Sequence, residues 1–381
     1  MKLNNLFRLA AIGCIMICLA SGCKNGSVAE YGYKNLYPNA DKIVFDDFSI
    51  VELSKDVPLG DIQKIFVEDS LIFISSDDNL YSFNMDGSLH ARYGMKGRAS
   101  NEYLYLSAYY IDTNSRQVCV IDGTQGKLLY FGYDGSFVRK AECDALKSLI
   151  YDVRLLSDGR LFVHNYIYND SGLLYSIVDL KDGSVRELKS VPFSTDNTAE
   201  FCGEHMCNIF DGKLYYIAPF EPAIYVLDGD KETSWKQIPG VDDVPGKSEL
   251  KNITDFNFFT AFTMYNEDEF VGFTGLYETG SFILMNELHE INYYIIDKST
   301  GKQKRYRYSL EDDVKTLPVK NIRAAYQDWF IGIGKVMSLM QLREDLPEKT
   351  SDPFLKKFKD VADKTTLESN PCLFFYKIKS I

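Results

Sequence analysis

Short apolar runs rich in β-branched and aromatic residues recur along the chain, parted by acidic or glycine-bearing turns. Ile65-Phe66-Val67 leads to Leu71-Ile72-Phe73-Ile74, then to Leu80-Tyr81-Ser82-Phe83 and the turn Asp86-Gly87. The same order returns with Val118-Cys119-Val120-Ile121, Leu128-Leu129-Tyr130-Phe131 and Asp134-Gly135. It returns again with Leu161-Phe162-Val163, Ser176-Ile177-Val178 and Asp182-Gly183, and with Leu214-Tyr215-Tyr216-Ile217, Ile224-Tyr225-Val226-Leu227 and Asp228-Gly229. Runs this short, bounded by Asp-Gly, predict strands joined in successive antiparallel hairpins. The glycine supplies the positive φ that a tight hairpin turn demands. Inner turns at Asp158-Gly159 and Asp211-Gly212 shape the chain without any chemistry. The four Asp-Gly turns are 48, 48 and 46 residues apart, close to the length of one β-propeller blade.

Beyond residue 230 the period loosens. A fifth blade is predicted from Phe256 to about Tyr308, with Phe270-Val271-Gly272-Phe273, Ser281-Phe282-Ile283-Leu284 and Tyr293-Tyr294-Ile295-Ile296 as strands and a turn from Asp297 to Gly301. A polar stretch, Pro239 to Ile253, separates it from the fourth. Ser351-Asp352-Pro353 is a helix-capping sequence with proline at the first position, where no amide donor is missed. Phe354, Leu355, Phe358, Val361 and Ala362 then fall on one helical face, which is expected to pack on the sheets. The chain ends in the strand Cys372 to Lys379, and Ile43-Val44-Phe45 with Ile50-Val51-Glu52-Leu53 forms another near its start. A ring of sheets has raw edges unless its first and last blades share strands, so these two are expected to pair.

The first residues follow a different rule. Lys2 and Arg8 precede an apolar run from Leu9 to Ala20 and then Ser21-Gly22-Cys23. That layout is a secretory leader, too short for a spanning helix. The cysteine after small residues resembles a bacterial lipobox, with Ala20 where leucine is usual, and makes Cys23 the expected lipidation site. The expected organisation is a signal peptide over 1–22, a polar tether over 23–40 and one domain over 41–381. The 359 residues from Cys23 would allow seven blades at this period, while the visible repeats and insertions favour six.

Losing Lys2 and Arg8 with the leader makes a net charge of −12 more negative by two. Such acidity argues against nucleic acid as a partner and against a polybasic membrane face, leaving the lipid as the contact with the bilayer. Cys119, Cys143, Cys202, Cys207 and Cys372 would remain in the mature chain. Five scattered cysteines in a chain of this size are not a disulfide scaffold, and most are expected to be small buried apolar residues.

The stretch Tyr93-Gly94-Met95-Lys96-Gly97-Arg98-Ala99-Ser100-Asn101-Glu102-Tyr103 resembles a motif of the six-bladed β-propeller lipoproteins of Bacteroidetes, and Asn370-Pro371 before the last strand resembles their ending. Gly94, Gly97, Arg98, Glu102 and Tyr103 match; Ala99, Ser100 and Asn101 stand where that family often has Gly, Pro and Gly. The resemblance implies an all-β fold: a six-bladed β-propeller of four-stranded antiparallel blades, here with a short helical insertion near the C-terminus. It implies a cell envelope address, at the outer membrane, and almost nothing about activity.

Arg98, Glu102 and Tyr103 form the candidate binding loop, although turn chemistry alone also explains those residue types. Cys202, His205 and Cys207 lie close together, yet a structural zinc site needs a second ligand pair and none is evident. Asp77-Asp78-Asn79 and Glu267-Asp268-Glu269 lack the ordered spacing of a calcium loop. No metal or cofactor is therefore expected. His90, His164, His205 and His289 are the four histidines; no nucleophile elbow, phosphate loop or dinucleotide fingerprint accompanies them, and no catalytic residue can be assigned. Trp235 and Trp329 could stack on sugar rings but suit packing equally well. The reading favoured is a lipid-anchored envelope propeller acting as a non-catalytic module that binds a glycan, a peptide or an envelope protein. The alternative is an envelope enzyme, a lyase or hydrolase on glycans or peptides, with its site in the propeller funnel.

Overall fold

In a computed structural model of the chain, the residues described are 44–148, 150–165, 172–190, 205–218, 221–237, 272–287, 292–307, 321–344, 346, 348 and 351–381. The chain divides into two compact units, Met1–Asp41 and Lys42–Ile381, and everything described lies in the second.

The strands form six antiparallel sheets of four. β1 (Val44–Glu52) is the first strand described and belongs to the last blade. Blade one holds β2 (Ile62–Glu68), β3 (Leu71–Ser76), β4 (Asn79–Asn84) and β5 (Leu89–Arg92). Blade two holds β6 (Ala108–Asp112), β7 (Gln117–Asp122), β8 (Lys127–Gly132) and β9 (Phe137–Glu142). Blade three holds β10 (Ile150–Leu155), β11 (Leu161–Asn165), β12 (Leu173–Val178) and β13 (Val185–Ser190). Blade four holds β14 (Cys207–Phe210), β15 (Lys213–Ile217), β16 (Ala223–Asp228) and β17 (Lys231–Gln237). Blade five holds β18 (Phe273–Glu278), β19 (Phe282–Glu287), β20 (Asn292–Asp297) and β21 (Gln303–Arg307). The sixth has β22 (Ile322–Tyr326), β23 (Trp329–Gly334) and β24 (Cys372–Ser380), with β1 at its outer edge. This is the six-bladed, four-stranded propeller expected.

The apolar runs of the sequence are mainly the second and third strands of each blade. β3 is buried at every position, because both its faces meet a neighbouring blade, whereas β9 is exposed almost throughout. Four of the Asp-Gly turns join third to fourth strands, with φ of 86°, 80°, 73° and 61° at Gly87, Gly135, Gly183 and Gly229. In three of them the aspartate accepts from the amide of the following serine, at 2.9 Å for Ser88, 3.0 Å for Ser136 and 2.8 Å for Ser184.

The ring closes as the edge argument required. β1 pairs antiparallel with β24, Val51 opposite Leu373 and Glu52 opposite Cys372. Asn370 pins the junction, accepting from the Leu59 amide at 2.9 Å and donating to the carbonyls of Ser54 and Val57 at 2.6 and 2.8 Å. The apolar clusters form a continuous circuit: one joins blades six and one, others join one to two, two to three, three through four to five, and five to six.

Among the described residues two helices lie between β23 and β24. α1 (Val336–Arg343) went unpredicted, and α2 (Pro353–Lys364) is the expected helix, its first amides capped by the Asp352 carboxylate. Its apolar face packs on the last blade, as expected, with Phe354 4.8 Å from Phe48 and Phe358 stacked 5.8 Å from Phe374. The first described strand of the fifth blade is Phe273–Glu278, and its expected start at Phe256, with 256–271, lies outside the described residues. No helix among the described residues is long and apolar enough to cross a membrane.

Candidate functional site

The innermost strands, one per blade, surround a central funnel. At one end of it is a cavity of about 330 Å³, and every blade contributes to its wall. Glu68 comes from β2, Ile111 from β6, Leu155 from β10, Phe210 from β14, Glu278 from β18 and Tyr326 from β22, each at or near the end of its strand. Convergence of strand ends on one concave space is a common way for a fold to make a small-molecule site. A larger groove of about 520 Å³ lies between blades two and three, where the Arg139 guanidinium covers the Tyr130 ring at 3.4 Å. It draws on two blades and its aromatic face is already occupied, so the funnel is the stronger candidate.

A buried polar network adjoins the cavity. Asp152 and Arg154, two apart on β10, project to the same face. The Asp152 carboxylate is held by Lys64 Nζ at 3.0 Å and by Arg154 at 2.6 Å. Arg154 also donates to the carbonyls of Val153 and Cys207, at 2.8 and 3.1 Å, and its guanidinium lies 4.3 Å over the Phe66 ring. Arginine can only donate, so His205 Nδ1, at 3.4 Å from it, accepts, and the imidazole proton is on Nε2. His205 stacks on Tyr277 with ring centroids 4.9 Å apart. His164 is sealed between Tyr151 and Tyr175, at 5.1 and 5.0 Å, with neither ring nitrogen hydrogen-bonded among the described residues.

Burial raises the Asp152 carboxyl, but the flanking Arg154 and Lys64 charges overcome it and hold the group well below the usual carboxylate range. Burial lowers His164 and His205 to about 3, with Arg154 and Lys64 adding to it and Asp152 opposing it, so both imidazoles are neutral near pH 7. Burial lifts Glu278 above its ordinary value despite Lys298 at 2.8 Å, and burial with the adjacent Asp69 lifts Glu68. Perturbed carboxyl and imidazole groups on one concave wall are what functional sites contain.

The sequence-predicted residues lie elsewhere. Arg98, Glu102 and Tyr103 sit on the connection that leads into the start of β6, whereas the cavity uses that strand's end. Glu102 accepts from the Ala99 amide at 2.7 Å, and a Cβ on Gly97 would stand 2.0 Å from its carboxylate. Tyr103 is buried and donates to the Asp78 carbonyl at 3.0 Å, while Arg98 is exposed. Cys23, Cys202, His289 and Glu267-Asp268-Glu269 lie outside the described residues. Asp77 and Asp78 form a turn at φ of 48° and 59°, with Asp78 3.0 Å from Lys96. Cys119, Cys143, Cys207 and Cys372 are buried free thiols, and no cluster that could hold a metal occurs among the described residues. Trp235 is exposed beside Tyr215, and Trp329 packs near Phe375. Sequence reasoning missed Lys64, Asp152, Arg154 and Glu278. Their available signal was charge inside short apolar strands, as in Ile150-Tyr151-Asp152-Val153-Arg154-Leu155.

A family model described as a domain of unknown function, DUF4934, matches residues 35–377. No curated protein matches the sequence. Among solved structures, a candidate exported protein of Bacteroides fragilis NCTC 9343 is 20% identical with a TM-score of 0.67, covering 89% of this chain and 98% of its own. A DUF4221 member from Bacteroides vulgatus is 8% identical at a TM-score of 0.49, with the same coverage of 89% and 98%. Virginiamycin B lyase of Staphylococcus aureus is 14% identical at 0.40, over 74% of this chain and 81% of its own. The first likeness shows the fold; the other two carry no argument about this chain.

Proposed function

The chain belongs to the DUF4934 family, and on that premise we propose that it is a lipid-anchored envelope propeller that binds a small ligand in its funnel. The observation that carries the reading is the cavity whose wall is built from the ends of all six innermost strands. Its volume of about 330 Å³ lies at the lower end of the usual range for ligand pockets. The lining mixes apolar and aromatic side chains with a few converging polar groups, among them Arg154, His205 and Glu278.

The test is a thermal-shift screen of the purified protein against sugars, peptides and small metabolites, run beside Ala325→Trp, which adds bulk at a residue of the cavity wall and whose own folding is checked by its ligand-free melting temperature. A ligand that raises the melting temperature of the parent and not of Ala325→Trp supports the reading. Ligands whose shifts survive the tryptophan would place binding elsewhere. His205 and Glu278 are titratable, so each hit is also followed for product; turnover would convert the binding module into the enzyme reading.

Anchoring through Cys23 at the outer membrane is supported by the leader and small residues that precede it and agrees with the export assigned to the Bacteroides fragilis neighbour. Cys23→Ala should abolish incorporation of labelled palmitate and release the protein from the membrane fraction. Retention of label in that variant would end the lipoprotein reading.

A further inference from the structure

The funnel's charge inventory is lopsided in what it leaves available. Its cations are committed. Arg154 is spent on Asp152, two carbonyls and His205, and its one unbonded nitrogen, Nε, is sealed from solvent. Lys64, behind it, serves Asp152 and the Tyr151 carbonyl. Lys298 serves Glu278 and the Thr279 carbonyl and lies 3.6 Å over the Phe210 ring. The anions are not committed to the same degree. No cation pairs with Glu68 among the described residues, although it is half-buried on the cavity wall. Glu278, also on that wall, is 4% exposed, and its second oxygen, Oε2, has no hydrogen-bond partner among the described residues but is as sealed from solvent as Arg154 Nε. A half-buried carboxylate without a counter-ion, as at Glu68, is costly, and a ligand that supplies the cation recovers that cost as affinity.

We propose that the funnel cavity takes a small ligand bearing an amine or guanidinium group, which Glu68 receives, with Glu278 as a second carboxylate of the same wall. The inference rests on the funnel being the ligand site. Tyr110 and Tyr326 line the same space and supply ring surface for the ligand's apolar body or for the cation itself. The neutral His205 adds no positive charge to oppose it. A chain of net charge −12 also favours the approach of a cation over that of an anion.

Matched probes of one size test this: phenethylamine and benzylguanidine as cations, phenylethanol as the neutral analogue and phenylacetate as the anion. Affinities are measured by calorimetry on the parent, on Glu68→Gln and on Ala325→Trp. The expected result is binding of a cationic probe at least about tenfold tighter than of phenylethanol, the worth of one charge-assisted hydrogen bond. Glu68→Gln should erase most of that advantage. Glu68 has no cation partner among the described residues, and glutamine can still accept from the Asp69 amide, so this variant should fold; Glu278→Gln is the second measurement, and both are checked by melting temperature. Equal or tighter binding of phenylethanol or phenylacetate, blocked by Ala325→Trp, overturns the cationic preference and leaves the funnel reading standing. Failure of both cations to bind overturns the preference too. Only cation binding that persists in Ala325→Trp counts against the funnel itself.

Discussion

A buried imidazole held neutral must take a charge into a dry site, or leave that site, once protons become abundant. His164 and His205 are both in that position, each lowered from 6.5 to about 3 by burial. Between those values the unfolded chain binds more protons than the folded one, so stability is fully present above pH 6.5 and is lost as pH falls toward 3. Two such groups give a slope of up to about 2.7 kcal/mol per pH unit. Urea midpoints from pH 7.5 to pH 4.5 should therefore drop steeply, and His164→Phe, which keeps an aromatic ring between Tyr151 and Tyr175, should halve the slope. A flat profile over that interval would mean that the histidines are not sealed as described. Asp152 gives a second test at this scale. Asp152→Ala leaves Lys64 and Arg154 buried without their counter-ion and should cost about 3–5 kcal/mol in urea unfolding. Asp78→Ala, which breaks an exposed pair with Lys96, should cost about 1 kcal/mol or less. None of this network was marked by a local motif. Lys64, Asp152 and His205 come from three blades, and what joins them is the closing of a ring, not a spacing along the chain.

Turns set the strand register, and their glycines are not equivalent. Gly183 has φ of 73° with nothing within 4 Å of a built Cβ, whereas Gly87, at 86°, would place that Cβ 2.1 Å from the Glu52 carbonyl of the closing strand. Gly183→Ala should cost about 1–2 kcal/mol of backbone strain. Gly87→Ala should cost about 1–3 kcal/mol more, because a neighbouring strand must move. Equal losses in thermal melts of the two variants would show that β1 does not sit against that turn. The same turn chemistry explains which blades were legible. Asp-Gly pairs announced blades one to four, and Asp297 to Gly301 announced the fifth. The β22–β23 hairpin of blade six turns through Gln327 at φ of 53° with no glycine, so its sequence carries no such signal. α1 was missed for a related reason: its apolar residues do not gather on one face as those of α2 do.

Closure is a property of the whole ring, and it hangs on one pairing between residues far apart in sequence. Glu52 on β1 stands directly opposite Cys372 on β24, and the Cys372 thiol, pushed up to about 12 by burial, is inert as it stands. Opposed residues of antiparallel strands have Cα atoms about 4.5–5.5 Å apart, inside the range that a disulfide spans. Glu52→Cys should therefore bond Cys372 during oxidative folding and covalently tie the first blade strand to the last. A cross-link over so long a loop restricts the unfolded chain strongly; typical gains are about 2–4 kcal/mol. The oxidised variant should run as a compact species on a non-reducing gel and melt higher than its own reduced form. That comparison removes the effect of the substitution itself. Free thiols persisting after oxidative refolding would show that β1 and β24 do not pair in this register. A bond that forms without raising the melting temperature would place the first step of unfolding elsewhere in the ring, away from the seam between the last blade and the first.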